Sequence, residues 1–392
     1  NIQTRGEGVF VATWLDGRRM MTSESGRYVQ SRKIHSTIDL MILSDSREDC
    51  MDFLKIFRHH MQSESEKLVY GLTQNSSSNK YMMLFDYERD PMYGMCSKCS
   101  RHNTSKVWCL SCDPHTMTQG WTSGNDEVDN CIKDLQLKTT EYENIVEWVP
   151  FDRLDKVKKN DERMLIATWL DGKRMISGER GKYMRSRQTF TTIDLEVFSD
   201  SQEGHPDFLE IFKHYVSSEG GRHVYGLTRN PATNEYMALL DYERDSAYGS
   251  CAHCNRYNTS KAWCLSCDRY KMTQGWTSGN ENVDNCIKEF QLKANDYERA
   301  IEWIPFNRLV DIQENGEGMF TATWLDGRRT ITGEHGKYVQ SRKPSNMVEL
   351  KILHGSQENH TDFLQRFKKQ MQLENNKVYG ITQNPDTEEY LM

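Results

Sequence analysis

The chain has no apolar run approaching the roughly 18 residues that a membrane-crossing helix needs, no secretory leader and no lipidation motif. Those absences set an intracellular, cytoplasmic location as the expectation, with no membrane partner. It also lacks a surplus of positive charge. Lys and Arg number 50 against 57 Asp and Glu, for a formal charge of −7, which gives no electrostatic reason to expect a polyanion partner. A disordered composition is missing too: 36% hydrophobic residues with 9 Trp, 18 Tyr and 14 Phe can build packed cores. The first residue is Asn1 and not Met, and both ends cut through a repeated block, so the sequence is expected to be a fragment.

What is present is repetition, at a spacing of 155 residues. Trp14, Trp169 and Trp324 each lie in the same Ala-Thr-Trp-Leu-Asp-Gly. A second block, Tyr87-Glu88-Arg89-Asp90 through Trp148-Val149-Pro150-Phe151, returns unchanged in length as Tyr242 to Phe306. The third copy of the first block slips by one residue, since Tyr70 and Tyr225 are followed by Tyr379. Two block types therefore alternate, with expected boundaries at 1–90, 91–151, 152–245, 246–306 and 307–392. The unit is too long for a solenoid repeat of about 20 to 50 residues, so each block must form its own core or share one with a neighbour.

The shorter block carries the sharpest chemical signal. Cys96-x2-Cys99, nine residues, then Cys109-x2-Cys112 recurs as Cys251-x2-Cys254, nine residues, then Cys264-x2-Cys267. Two facing pairs of soft thiolate ligands complete the closed tetrahedral site of structural zinc, so two zinc ions are expected. Disulfides compete as a reading but need an oxidising compartment. A redox Cys-x-x-Cys is normally single and in a strand-helix setting, and an unligated cluster stays open. His102, His115 and His253 read as surface residues, because four thiolates already satisfy the metal. Cys50, Cys131 and Cys286 lie in helical patterns and read as buried small apolar residues.

After the cysteines comes Trp-Thr-Ser-Gly-Asn, at 121–125 and 276–280. Val128, Ile132, Leu135, Tyr142 and Ile145 then recur at mostly three- and four-residue steps. One long helix follows, capped by Ser123 or Asn125, ending at Trp148-Val149-Pro150 and packing on its own domain. Without metal this block is too small to fold alone. In the longer block, Val11 to Leu15 reads as a strand, Asp16-Gly17 as a tight hairpin turn and Thr37 to Leu43 as a second strand. Ser46 and Asp49 have capping-box spacing ahead of a helix with Phe53, Leu54, Phe57 and Met61 on its buried face. Lys67 to Thr73, a turn over 74–79 and Lys80 to Tyr87 make another hairpin. The fold class is α+β, a small antiparallel sheet with one helix on a face.

Several words in this frame are shared with one family: Gly6-Glu-Gly-Val-Phe10, Gly316-Glu-Gly-Met-Phe320, Ala-Thr-Trp-x-Asp-Gly, Val348-Glu-Leu-Lys351, Asp-Phe-Leu in the helix and Tyr-Gly-Leu-Thr-Gln-Asn. Together they resemble the N-terminal lobe of eukaryotic protein kinases. They are especially similar to the expanded kinase-like families of some fungi, where a paired-cysteine stretch, Trp-Thr-Ser-Gly-Asn and Glu-Trp-Ile-Pro-Phe precede the kinase lobe. The resemblance implies kinase-lobe-like units alternating with zinc-knuckle and helix modules. It also places ATP with magnesium, if any is bound, at Gly316, Gly318 and Lys351.

Phosphoryl transfer needs glycines and a lysine around the phosphates, a glutamate holding that lysine, and carboxylates from a second lobe. Gly6 and Gly8 become Asp161 and Arg163 in the second copy. The strand lysine corresponds to Met41, Glu196 and Lys351, and the helix glutamate to Ile56, Ile211 and Arg366, with Glu358 or Asp362 one turn away as substitutes. No His-Arg-Asp, Asp-Phe-Gly or Ala-Pro-Glu occurs. The resemblance thus implies a catalytically inactive binding or scaffold protein, whose uncovered lobe surface engages a protein partner. One alternative is a piece of a protein kinase whose catalytic lobe lies beyond Met392. A third class, zinc-mediated nucleic-acid binding near Lys98, Arg101 and Lys106, lacks a basic stripe.

Overall fold

In the computed structural model the described residues are 2–6, 8–24, 27–43, 52–62, 67–159, 163–179, 181–198, 207–217, 221–316, 318–334, 336–353, 360–372 and 378–392. Ser46, Asp49, Cys50, Asp161 and Glu358 lie outside them. The first longer block contains β1 (Ile2–Gly6), β2 (Val9–Trp14), β3 (Arg18–Glu24), β4 (Arg27–Lys33), β5 (Ser36–Ile42), α1 (Asp52–Gln62), β6 (Lys67–Gln74) and β7 (Tyr81–Tyr87). The first cysteine block adds α2 (Asp113–Met117), α3 (Asp126–Lys138) and β8 (Glu147–Trp148).

The second copies are β9 (Leu154–Lys159), β10 (Met164–Trp169), β11 (Lys173–Ser177), β12 (Met184–Gln188), β13 (Thr191–Val197), α4 (Asp207–Ser217), β14 (Arg222–Arg229) and β15 (Tyr236–Tyr242), then α5 (Asp268–Met272), α6 (Glu281–Lys293) and β16 (Glu302–Trp303). The last block holds β17 (Leu309–Gly316), β18 (Met319–Trp324), β19 (Arg328–Thr332), β20 (Val339–Lys343), β21 (Asn346–Lys351), α7 (His360–Gln372), β22 (Gly380–Gln383) and β23 (Tyr390–Leu391).

The class is α+β, with small, mostly antiparallel sheets and few helices. In the first block the order is β1-β2-β5-β7-β6. Alternation along these strands gives the sheet two apolar faces. Ala12, Ile38, Leu40 and Met82 gather on one with Trp14 and Tyr70. Leu43, Met83 and Phe85 gather on the other, where Leu54 and Phe57 of α1 cover them. Asp16-Gly17 does not lead straight back into the sheet. It opens onto a separate hairpin, β3 with β4, that returns the chain to β5 beside β2. The same excursion recurs as β11–β12 and β19–β20.

Contact density divides the chain into two compact units, one of Asn1–Lys158, Ile166–Ser218 and Val224–Leu240, the other of Lys159–Leu165, Glu219–His223 and Asp241–Met392. In each, a cysteine block is joined to the longer block that follows it. In the first unit β8 pairs in parallel with β14, setting Glu147 and Trp148 beside Gly226 and Leu227. In the second, β16 pairs with β22 in the same register. Glycine is required at this crossing: a Cβ on Gly226 would stand 2.0 Å from the Glu147 carbonyl oxygen, and one on Gly380 1.9 Å from that of Glu302. The core follows the join. Val283, Cys286, Ile287 and Ile301 pack with Phe363, Phe367, Ile381 and Tyr390 of the next block, and Phe290 meets Phe367 edge-on at 5.6 Å.

That packing corrects two expectations. The apolar stripe after the cysteines covers the following block's helix as well as its own neighbours. The helix is also shorter than the periodicity suggests: α3 stops at Lys138, and Thr139, with φ −71° and ψ 130°, leaves the helical region. Tyr142 and Ile145 keep the helical spacing but lie beyond the end, packed on Trp108. The second copy stops at the equivalent residue, Lys293, with Ala294 at φ −65° and ψ 130° in place of Thr139. Asn125, not Ser123, is the cap, accepting from the amides of Glu127 and Val128 at 2.9 and 3.2 Å. Among the described residues no helix is long and apolar enough to cross a membrane.

Candidate metal centres

Each cysteine pair sits in a tight turn whose backbone is already satisfied. The Cys96 amide donates to the Arg101 carbonyl at 2.8 Å and the Ser100 amide to the Cys96 carbonyl at 2.9 Å. Ser100 adopts a left-handed φ of 54°, as Asn255 does at 57° in the second copy. The other turn is held by Asp113, whose carboxylate accepts from the Cys109 amide at 2.7 Å, and by Asp268, which does the same for Cys264 at 2.6 Å. Facing turns bring four sulfur atoms together in each module, all within 4.8 Å of one another.

Those distances discriminate between the chemical readings. Cys99 and Cys109 are 3.7 Å apart, as are Cys254 and Cys264. Tetrahedral zinc with metal–sulfur bonds near 2.3 Å places its sulfurs about 3.8 Å apart, whereas a disulfide needs about 2.05 Å. All eight thiols are free. The geometry fits two four-sulfur metal sites, and the donor set is soft and closed. His102 and His253 are exposed and His115 is half-buried, and none joins either cluster. His253 contributes only its main chain, its amide lying 3.4 Å from the Cys251 sulfur. Cys131 and Cys286 are buried on α3 and α6, away from the metal ligands, where burial pushes their thiols up.

Four crowded thiols cannot ionise independently. A hydrogen bond from Cys109 draws the Cys96 thiol down to about 6, while the contact with Cys109 drives Cys112 far upward. A dication replaces all the protons at once and removes the conflict. Positive charge is supplied nearby. Arg89 approaches the Cys109 sulfur at 3.5 Å, bonds Ser111 Oγ at 2.7 Å and Asp86 at 2.9 Å. Arg244 reaches Cys264 at 3.5 Å, Ser266 Oγ at 2.6 Å and Asp241 at 3.3 Å in the second module.

Sequence reading missed this network and the carboxylate beneath it. Asp39, on β5, is fully buried. It takes both ends of the Arg101 guanidinium, at 2.7 and 3.0 Å, and the Ser111 hydroxyl at 2.6 Å. Burial opposes the Arg101 charge, but its bonds to Asp39 outweigh that and hold it more firmly protonated than usual. The available signal was an aspartate inside an apolar alternating strand, at Asp39 and again at Asp194, which is also fully buried.

A second polar link was missed as well. Glu147 is clamped between Arg174 at 3.0 Å and Arg187 at 2.7 Å, both on the β11–β12 hairpin. Glu302 is clamped by Arg329 and Arg342 at 3.0 and 2.6 Å. At the start of α3, Asp129 accepts from the Ser123 amide and hydroxyl at 2.7 and 2.5 Å. Burial would raise this carboxyl, but the bonds from Ser123 and Thr122 win and lower it, as Ser278 and Thr277 do for Asp284. Being depressed on folding, both groups contribute stability above the ordinary carboxylate range that is lost as pH falls through their folded values. Replacing Asp129 with Asn is expected to cost about 1 kcal/mol at neutral pH. Its deficit in urea melts should shrink when the wild type and variant are compared near pH 3.

The nucleotide candidates are not assembled in the same way. Gly316 and Gly318 have left-handed φ of 96° and 74°. Lys351 is exposed on β21, and among the described residues no carboxylate pairs with it. Met41 packs in the apolar cluster beneath α1. Glu196 accepts from Tyr215 Oη of α4 at 3.0 Å, so in the second copy a tyrosine of the helix bonds the strand residue at the place where the resemblance implies a lysine. Of the basic residues near the cysteines, Arg101 is engaged by buried carboxylates and Lys106 lies over the Tyr183 ring at 5.4 Å. No protein-family model, curated protein or solved structure matches the chain.

Proposed function

We propose that the chain is an intracellular interaction scaffold: catalytically inactive units of the kinase small-lobe type, each cysteine module stapled by one structural zinc. The observation that carries the metal is the pair of four-thiol clusters with sulfur spacing of 3.7 Å. The sheet order β1-β2-β5-β7-β6, with its single helix lying between β5 and β6 in sequence, is consistent with the small-lobe likeness. Inactivity is supported by Met41, by the hydrogen-bonded Glu196 and by Lys351, which has no carboxylate partner among the described residues. A reducing compartment suits eight free thiols.

Two measurements test this reading. Elemental analysis of the purified chain should give two zinc ions per polypeptide, and fewer than one metal would remove the foundation. Millimolar ATP with magnesium should leave the melting temperature unmoved within about 1 °C, since a ligand with no affinity for the native state cannot stabilise it. A rise of several degrees, abolished by Lys351→Ala, would reinstate nucleotide binding.

A further inference from the structure

The first longer block carries the receiving half of the joint described above, without an occupant among the described residues. In the other two copies that joint has three parts. A two-residue Glu-Trp strand pairs along the edge of β14 or β22 at a required glycine. Two hairpin arginines clamp the glutamate. The hairpin itself lies on the cysteine module: Arg185 bonds Asp113 at 2.6 Å and stacks over Trp108, and Gln340 bonds the Ala262 carbonyl at 2.8 Å.

Every receiving residue has a counterpart in the first copy. Gly71 stands for Gly226 and Gly380, on β6 at the open edge of its sheet, and a Cβ placed there meets nothing within 4 Å. Arg19 and Arg32 stand for the clamp, and Tyr28, Val29 and Gln30 for Tyr338, Val339 and Gln340. The segments 18–33 and 328–343 share 11 of 16 residues. Among the described residues nothing covers this edge. Leu72 is 38% exposed where Leu227 and Ile381 are fully buried, and Tyr28 is 78% exposed. Tyr338, by contrast, is half-buried, with Lys261 over its ring.

We infer that this surface binds the Glu-Trp strand of a paired-cysteine module built like residues 246–306. Recognition is by strand addition at the β6 edge, with the incoming glutamate held by Arg19 and Arg32 and its tryptophan flank covering Leu72. The chemistry selects an extended acidic-aromatic segment over any other partner, because two converging guanidinium groups match a carboxylate and only a glycine edge admits so close a backbone. This deepens the scaffold reading and rests on it.

The test adds the occupant to the intact protein. Residues 246–310 are placed directly before Asn1, which reproduces the spacing at which they precede Asp311. Metal content and amide hydrogen exchange are then read together. The expected result is three metal ions per chain, with exchange over 67–74 slowed about tenfold or more relative to the unextended chain. Arg19→Ala with Arg32→Ala should reverse the slowing. Three metals with unchanged exchange overturn the inference while leaving the zinc reading intact. If the added module takes up no metal, a labelled peptide of residues 296–308 decides. Saturable binding to the native chain, lost with Glu302→Ala in the peptide, supports the site. No saturation up to about 1 mM overturns it.

Discussion

Stripping the metal from the native chain, or replacing Cys109 by Ser, is expected to melt the whole first cysteine module and not merely empty a pocket. The module has little core of its own: Trp108, Tyr142 and Ile145 gather beside the cysteines, and the buried Val128 and Ile132 lie on α3, which contacts α4 of the following block. Folding and metal binding are then one equilibrium, with a linked free energy on the order of 10 kcal/mol for structural zinc. Trp108 is fully buried, and its indole donates to the Thr139 carbonyl at 3.3 Å, so its fluorescence reports the transition. A chelator should shift that emission to the red and expose the amides of Cys96 to Cys112. Readdition of zinc should reverse both changes. Cys131→Ser, on α3 and outside the cluster, should keep full metal content. A Cys109→Ser chain that retained two tightly held ions and native Trp108 emission would contradict this account.

The second large effect concerns the joint between module and sheet. Arg101→Leu leaves the fully buried Asp39 with Ser111 Oγ and the more distant Arg89, 3.7 Å away, as its side-chain partners among the described residues. Removing one member of a buried ion pair costs about 3–5 kcal/mol, mostly through the charge left behind. The Arg101→Leu, Asp39→Leu double variant removes both charges and should recover a large part of that loss, because the two sites are directly coupled. Urea midpoints of the two single variants and the double decide it. A single-variant loss under about 1 kcal/mol, or strict additivity, would show that the network does not tie the module to its sheet.

How much of this was visible in the sequence depends on how local the interaction is. Cys96 to Cys112 was legible because all four ligands lie within one short stretch and the metal's geometry dictates their spacing. The start of α3 was legible for the same reason, since a cap such as Asn125 acts over three residues. Its end was not: Tyr142 and Ile145 continue the helical rhythm although they pack on Trp108 from outside the helix, and the break falls at Thr139 in one copy and at Ala294 in the other, with no shared breaker residue. The hairpins were hidden because Arg18 to Lys33 mixes polar and apolar residues on both faces, with Met20 and Met21 adjacent as are Tyr28 and Val29, leaving no period-two contrast to read. Asp39 and Arg101 meet across 62 residues, a distance at which no local pattern speaks. The Glu-Trp strand is two residues long and exists only by virtue of the edge it joins.

The central claim is that each cysteine quartet holds one metal ion in an all-sulfur tetrahedral site, and cobalt substitution tests it most directly. Exchange of the native metal for cobalt(II) should load two ions per chain, with the strong visible absorption of tetrahedral cobalt and intense sulfur-to-metal charge transfer. Removing Cys109 alone should halve both signals. Weak octahedral absorption, or loading of fewer than one ion per chain, would contradict the account.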